Sequence, residues 1–206
     1  LIFCTAIFAG TNLTTAHRMS AGGKSPLTGG IKESNVGGLA ARQMADQGIK
    51  MIEVLDVPEN KSLWILHIDT KGIATLRDAS EYKGVNNYEF VERMKAEYGD
   101  KIATISIGSA GERLYKNASI QISEFQSGHP SRAAARGGIG AIMGSKGLKA
   151  IVIENPKEKF KVQYADEERF KKACLELNKM VAAGAKNDPF SNIGTISTIE
   201  VTGANG

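Results

Sequence analysis

The sequence is poor in the features that usually settle a protein's class. It holds only two cysteines, Cys4 and Cys174, far apart in the chain. Neither is part of a Cys-x-x-Cys pair, so a disulfide framework and a cysteine metal knuckle are excluded, and two isolated thiols fit a reducing, cytoplasmic setting. The three histidines, His17, His67 and His129, are too dispersed for a metal set. No apolar run approaches the ~20 residues that cross a bilayer, so no membrane span is expected. The net charge is +4 without any Lys/Arg run or aromatic-basic platform, so nucleic acid is not an expected partner. No Ser/His/Asp set or paired carboxylates stand out, and the catalytic residues stay unassigned.

The chain does have a globular composition, with 42% hydrophobic and 23% charged residues among 206. That length suits one large domain or one domain with part of another. It begins on the apolar stretch 1–8, without a methionine or a basic segment, which reads as a buried strand entered in mid-fold rather than a signal peptide. It stops on Thr202-Gly203-Ala204-Asn205-Gly206 without a helix end, so both termini read as those of an excerpt from a longer polypeptide.

Periodicity and turn chemistry predict the following order. A strand over 1–8 and an extended segment over 16–21 precede a turn-rich loop over 22–30. A helix over 39–47 carries Leu39, Ala40 and Met44 on one side and closes at Gly48. Strands follow over 49–54, 62–69 and 73–77. The second alternates so that Leu63, Ile65 and His67 oppose Trp64, Leu66 and Ile68, as if both faces were covered. An amphipathic helix over 87–98 leads to strands over 102–107 and 117–122, a short helix over 138–146, and a strand over 150–153. After Asn155-Pro156 the character changes. Residues 165–185 form one long helical pattern with Phe170, Ala173, Cys174, Leu177 and Val181 as its stripe, Asp166 as its N-cap and Asp188-Pro189 at its end. A strand-rich domain over 1–156 and the beginning of a helical one over 157–206 are therefore expected.

The stretch 128–150, GHPSRAAARGGIGAIMGSKGLKA, sets glycines and basic residues among alanines. Glycine permits close backbone approach, and arginine presents a planar fork of donors that suits phosphate. The Gly138-Ile139-Gly140 run misses the dinucleotide fingerprint because Met143 stands where its last glycine should be, and Gly144-Ser145-Lys146 is not a P-loop. Two readings remain. The glycines either allow tight helix packing, or the start of the helix meets a cofactor phosphate flanked by Arg132 and Arg136. Lys24-Ser25-Pro26-Leu27-Thr28-Gly29 reads alone as a rigid turn. Asn35 reads equally as a helix N-cap, and Glu112 as a helix-start carboxylate or a catalytic one.

Three segments together resemble the N-terminal domain of the tungsten-containing aldehyde ferredoxin oxidoreductase family. They are residues 18–38 (RMSAGGKSPLTGGIKESNVGG), 107–112 (IGSAGE) and 132–150 (RAAARGGIGAIMGSKGLKA). The family carries K-S-P-L-T-G with a following Asn-x-Gly-Gly, then I-G-P-A-G-E, then R-A-A-G-R-G-G-x-G-A-x-M-G-S-K-x-L-K-A. Asn187-Asp188-Pro189 and Ile193-Gly194-Thr195 are similar to the opening of its helical domain. Ser109 replaces the family proline, Ala135 replaces a glycine, and Pro130-Ser131 is inserted before Arg132.

The resemblance implies an α+β fold of two β-sheets related by a pseudo-twofold, with helices. It implies two pterins that chelate one tungsten, or molybdenum, through dithiolene sulfurs, with no protein ligand to that metal. A magnesium ion would bridge the pterin phosphates and take the backbone carbonyls of Asn35 and Ala133. Gly37, Arg132, Ala135 and Arg136 would line the pterins, and Arg18 would lie between pterin and an iron–sulfur cluster. The [4Fe-4S] ligands of the family belong to a helical region not contained in this chain, and neither Cys4 nor Cys174 matches them. The implied reaction of the parent protein is oxidation of a small aldehyde to a carboxylic acid, with ferredoxin as acceptor and a homodimer as one possible assembly. The fragment alone would be inactive. The alternatives are a tungstopterin reductase of another substrate, such as an aromatic acyl-thioester, and a non-enzymatic module for a phosphorylated ligand.

Overall fold

The computed structural model describes residues 1–60, 62–185 and 188–204. Asn187, Asn205 and Gly206, named above, lie outside the described residues. The chain separates into two compact units, one of Leu1–Thr11 with Thr15–Val162, the other of Asn12–Thr14 with Gln163–Gly206.

The larger unit is α+β. Its first sheet contains β1 (Ile2–Thr5), β2 (Met19–Lys24), β3 (Ile31–Val36) and β4 (Met51–Glu53) in the order β3-β2-β1-β4. Its second contains β5 (Trp64–Ile68), β6 (Ala74–Asp78), β7 (Ile102–Ser106), β8 (Ile120–Ile122), β9 (Arg132–Ala134) and β10 (Leu148–Glu154) in the order β6-β5-β10-β7-β8-β9. Four helices accompany them: α1 (Leu39–Asp46), α2 (Asn87–Tyr98), α3 (Ser109–Glu112) and α4 (Ile139–Ser145). One motif occurs twice. A three-stranded meander leads into a helix and a strand that returns antiparallel beside the meander's first strand, as β1-β2-β3-α1-β4 and again as β7-β8-β9-α4-β10. This repetition is the topological basis of the pseudo-twofold relation between the sheets.

Two apolar cores explain the strand pattern. Phe3, Met19, Met44, Ile105, Ile151 and Ile153 belong to the one shared by both sheets, α1 and α4. Ile65, Phe90, Met94, Ala150 and Val152 belong to the other, where α2 covers the opposite face of the second sheet. Successive residues of β10 thus enter different cores, and a strand buried on both faces reads as a continuous apolar run. The same holds for β5, where Ile65 faces one core and Ile68 the other. Helix α2 begins as predicted, with Asn86 accepting a hydrogen bond from the Glu89 amide at 3.0 Å. Gly48, at φ 75°, follows α1 as the expected left-handed cap.

Several expectations need correction. β1 stops at Thr5 because the chain turns at Ala6, whose carbonyl accepts from Ala9 N at 3.1 Å, and this leaves Ile7 80% exposed. Gly22 and Gly23 continue β2 rather than opening a loop; a side chain at Gly23 would press on Ile142 of α4. Strand β4 is short and mostly exposed. β3 and β9 were not anticipated, because both are exposed sheet edges without apolar alternation.

The glycines of α4 serve close packing. A Cβ on Gly144 would fall 2.0 Å from the Gly111 carbonyl oxygen, so α4 meets α3 backbone to backbone. Beside this contact lies a fully buried lysine. The Lys149 ammonium donates to the Glu112 carboxylate and, at 2.8 Å, to the Val85 carbonyl. The other Glu112 oxygen accepts from Gly84 N at 2.8 Å. Glu112 is therefore neither a free catalytic carboxylate nor merely a helix-start charge.

The smaller unit is helical: α5 (Glu167–Ala185), α6 (Pro189–Ile193), a 3-10 turn (Gly194–Thr198) and α7 (Ile199–Ala204). Asp166 caps α5, accepting from Arg169 N at 2.9 Å. Asp188 caps α6 ahead of Pro189, so this pair starts a helix rather than ending α5. Of the expected α5 stripe, Cys174 is buried, but Leu177 and Val181 are exposed. No helix among the described residues is long and apolar enough to cross a membrane.

Removing one partner of a buried ion pair leaves the other charge unsolvated. Glu112→Ala is expected to cost about 3–5 kcal/mol of stability, whereas Glu112→Leu combined with Lys149→Met should recover most of that loss. Urea denaturation checks both, and a single variant as stable as the double one would show that Lys149 reaches water.

Candidate functional site

A cleft of about 560 Å³ opens where the edge strands of the two sheets, β3 and β9, run alongside each other. One wall comes from the segment entering β2, with Thr15, His17 and Arg18. A second comes from the end of β3 and the start of α1, with Asn35, Val36, Gly37 and Gly38. The loop after β8 adds Phe125, and β9 with its approach adds Ser131, Arg132 and Ala133. No aspartate or glutamate lines the cleft among the described residues.

Its two guanidiniums differ in how they are held. Arg18 donates through Nε to the Asn35 amide oxygen. Asn35 Nδ2 donates onward to Ser20 Oγ at 3.3 Å, and that hydroxyl donates to Glu33 at 2.6 Å. Arg18 is therefore oriented by a neutral amide, and the carboxylate that ends this chain of contacts, Glu33, is reached only through Asn35 and Ser20. Its Nη1 lies 3.5 Å from where a Cβ on Gly37 would sit. Arg132 makes no hydrogen bond or salt bridge among the described residues, and its stem packs beside Gly38. Helix α1 starts at this wall. Its N-cap is Gly38, not Asn35, with no side-chain cap and no acidic residue in the first turn. Leu39 N donates to Ser123 O at 2.7 Å, which ties the helix start to the second sheet. Two guanidiniums without a salt bridge among the described residues, the charge of Glu124 acting on Arg132 only from a distance, stand beside a helix start without a side-chain cap and make a surface suited to anionic oxygens.

Of the residues singled out from sequence, Arg18, Asn35, Gly37, Arg132 and Ala133 line this one cleft. Ala135 and Arg136 do not line it; they are exposed just past β9, with Arg136 N donating to Ser34 Oγ at 3.2 Å. The start of α4 cannot take the phosphate considered for it. A Cβ on Gly138 would fall 1.9 Å from the Lys116 carbonyl oxygen and 3.0 Å from Pro26, and Gly140 N already donates to Ala118 O at 3.0 Å. The Lys24–Gly29 turn fills that space, and its buried Ser25 hydroxyl donates to Gly137 O at 2.8 Å. Sequence reasoning missed Thr15, His17 and Phe125. Only the adjacency of His17 to Arg18 offered a signal.

Comparison with known proteins gives a consistent picture. The family described as the N-terminal domain of aldehyde ferredoxin oxidoreductase matches residues 1–155. The tungsten-containing aldehyde ferredoxin oxidoreductase of Pyrococcus furiosus is 36% identical over 100% of this chain and 32% of its own length. That of Thermococcus kodakarensis is 35% identical, again over 100% of this chain and 32% of its own length. A solved active-site complex of benzoyl coenzyme A reductase, bound to 1,5-dienoyl-CoA, superposes with a TM-score of 0.80 and 31% identity, covering 91% of this chain and 27% of that one. The chain thus spans about a third of the length of these curated relatives.

Two titratable groups near the cleft are strongly conditioned by their surroundings. The Glu124 carboxylate accepts from the Ser127 hydroxyl at 2.6 Å and from the Ser127 amide, and these bonds pull it down to about 2. His17 faces donors on both ring nitrogens, Gly10 N at 3.3 Å from Nδ1 and Arg42 Nη1 at 3.2 Å from Nε2. Burial, then the charges of Arg42 and Lys159, push its pKa below the ordinary value, against the opposing pull of Asp46. The unfolded ring takes a proton near pH 6.5 while the folded ring still resists it, so this residue makes stability fall as pH drops below about 6.5. His17→Gln should flatten that part of the profile. Urea denaturation between about pH 7.5 and 5, with NMR titration of the ring, checks it; an His17 midpoint at or above the ordinary value would refute it.

Proposed function

The chain belongs to the aldehyde ferredoxin oxidoreductase family, and on that premise we propose that its cleft cradles a tungsten, or molybdenum, bis-pterin cofactor. The observation that carries this reading is the pair of guanidiniums, Arg18 and Arg132, on a wall without carboxylates. Such a wall fits the phosphates of a pterin, and the absence of a side chain at Gly37 leaves the space beside Arg18 open, while Gly38 serves close packing against Ser123 and Ile122. Arg132 binds phosphate through its unpaired fork. Arg18, held by the Asn35 amide, would present an oriented guanidinium to the pterin. The backbone carbonyls of Asn35 and Ala133 would serve as hard oxygen ligands for a magnesium ion that neutralises phosphate charge. These residues lie on edge strands whose outward carbonyls have no ladder partner among the described residues. Gly37 lets the ring approach, and Ala135 with Arg136 meets the part of the cofactor beyond the cleft.

When bound, the metal–pterin group supplies two-electron redox chemistry, for which we infer oxidation of an aldehyde to a carboxylic acid with ferredoxin as acceptor. The [4Fe-4S] ligands and the acid/base residues belong, on this reading, to the rest of a longer cytoplasmic polypeptide that could pair as a homodimer. The likeness to benzoyl coenzyme A reductase favours a second reading, reduction of an aromatic acyl-thioester on the same cradle.

The full-length polypeptide, produced with tungstate, is expected to carry pterin and tungsten or molybdenum. It should oxidise members of an aldehyde panel with a viologen acceptor. A preparation with neither metal nor pterin would overturn the cofactor reading and leave a plain phosphorylated-ligand module. Activity on aromatic acyl-thioesters alone would select the second reading. Losing a charge-assisted phosphate contact costs about 1.5–3 kcal/mol, so Arg132→Ala should weaken cofactor retention roughly tenfold or more. Arg136→Ala should lower occupancy as well, and unchanged metal content in both variants would make these arginines structural.

A further inference from the structure

We propose that Phe125 and His17 form an aromatic lip of the cleft that stacks on a planar heteroaromatic ring of the ligand whose anionic groups Arg18 and Arg132 hold. The proposal rests on the cofactor reading above and assigns it two residues that lie outside the segments 18–38, 107–112 and 132–150. Both side chains line the cleft, and their ring centroids lie 6.1 Å apart at 55°. Phe125 is 52% exposed. A π face beside two guanidiniums at the mouth of the cleft suits a flat ring, and the loop that carries it is held in place.

That loop is built rather than slack. Glu124 N donates to His129 O at 2.9 Å, and the Glu124 carboxylate takes the Ser127 hydroxyl at 2.6 Å. Lys95 holds the Ser127 carbonyl at 3.0 Å from α2, and His129 N donates to Ser127 Oγ at 3.1 Å. Phe125 is thus presented by a short loop pinned at several points. The His17 ring is fixed from behind by Arg42, whose Nε donates to Asp46 at 3.0 Å and whose Nη1 donates to Thr11 O at 3.3 Å. A neutral imidazole has one lone pair for two facing donors, so its nitrogen edge is occupied and the ring's orientation is set. Aromatic faces beside a guanidinium plane recognise flat, electron-poor rings without demanding a particular hydrogen-bond pattern.

The test uses the full-length polypeptide loaded with its metal–pterin, comparing Phe125→Ala, Phe125→Leu, Phe125→Trp and His17→Ala. The readouts are tungsten and pterin per chain and the rate of pterin release into a fluorescence assay. Stacking on one ring is worth enough to change affinity about tenfold, so both alanine variants should release pterin roughly that much faster. Phe125→Leu keeps apolar bulk without a π face and should behave like Ala, whereas Phe125→Trp should hold at least as well as the parent. Thermal melting of the unloaded chains separates binding from folding: a His17→Ala effect on release that vanishes once its melting loss is matched by Arg42→Lys would count against the lip. A loaded parent whose variants release pterin at the parental rate would overturn this proposal alone. A parent without pterin would overturn it together with the cofactor reading.

Discussion

The geometry of the cleft depends on how closely α4 approaches the backbone beneath it. At Gly144 the approach leaves no room for a methyl group against the Gly111 carbonyl, and at Gly140 none against that of Ser119. Because those positions lack a side chain, the helix can lie directly on α3 and on the backbone ahead of β8, while it also packs on β2 of the first sheet and β10 of the second. Interiors are close-packed and transmit strain rather than absorb it. A methyl group at either glycine would push α4 away from the elements it joins, which belong to both of the sheets whose edges frame the cleft. The glycine-rich stretch thus contributes mostly by setting the separation of two sheet edges, while Arg132 and Ala133, just before it, face the cleft.

The electrostatics of the cleft follow a related economy. Arginines near a surface are commonly neutralised by a carboxylate. Here Arg18 is oriented by an amide, and the acid that completes the chain of contacts, Glu33, acts only through the Ser20 hydroxyl. Orientation is obtained without cancelling the charge. Arg132 is left without a hydrogen-bond partner, beside a carboxylate, Glu124, whose oxygens are engaged by its own loop. Positive potential is thereby kept where a polyanion would arrive, although the net charge of the chain is modest.

What was legible in the sequence was what periodicity and local capping control. The bounds of α2, the closure of α1 at Gly48 and the covering of β5 on both faces follow from spacing and turn chemistry within a few residues. The edge strands β3 and β9 were not legible, because an exposed edge needs no apolar alternation, and these are the strands that frame the cleft. The motif residues Arg18, Asn35, Gly37, Arg132 and Ala133 were found through resemblance, and the structure gathers them on one surface. The Glu112–Lys149 pair joins two of the same motifs, yet nothing local marks residues 37 positions apart as partners. His17 and Phe125 were invisible for a different reason. A ring becomes a cleft residue through the loop that carries it, and loop conformation is set by long-range contacts such as Lys95 to Ser127.

The repeated strand–helix motif leaves its two copies unequally dressed. In the second, β10 is flanked by the hairpin of β5 and β6, while in the first the corresponding side of β4 has no neighbouring strand among the described residues. Met51 on β4 is 53% exposed, and Leu55 and Val57 beyond it are 67% and 62% exposed. Bare backbone donors and acceptors next to apolar side chains are a template for any extended chain that passes. A preparation of these 206 residues alone would be governed in the test tube by that adhesive rim, and its solubility would be improved by covering or charging β4 rather than by altering the cleft.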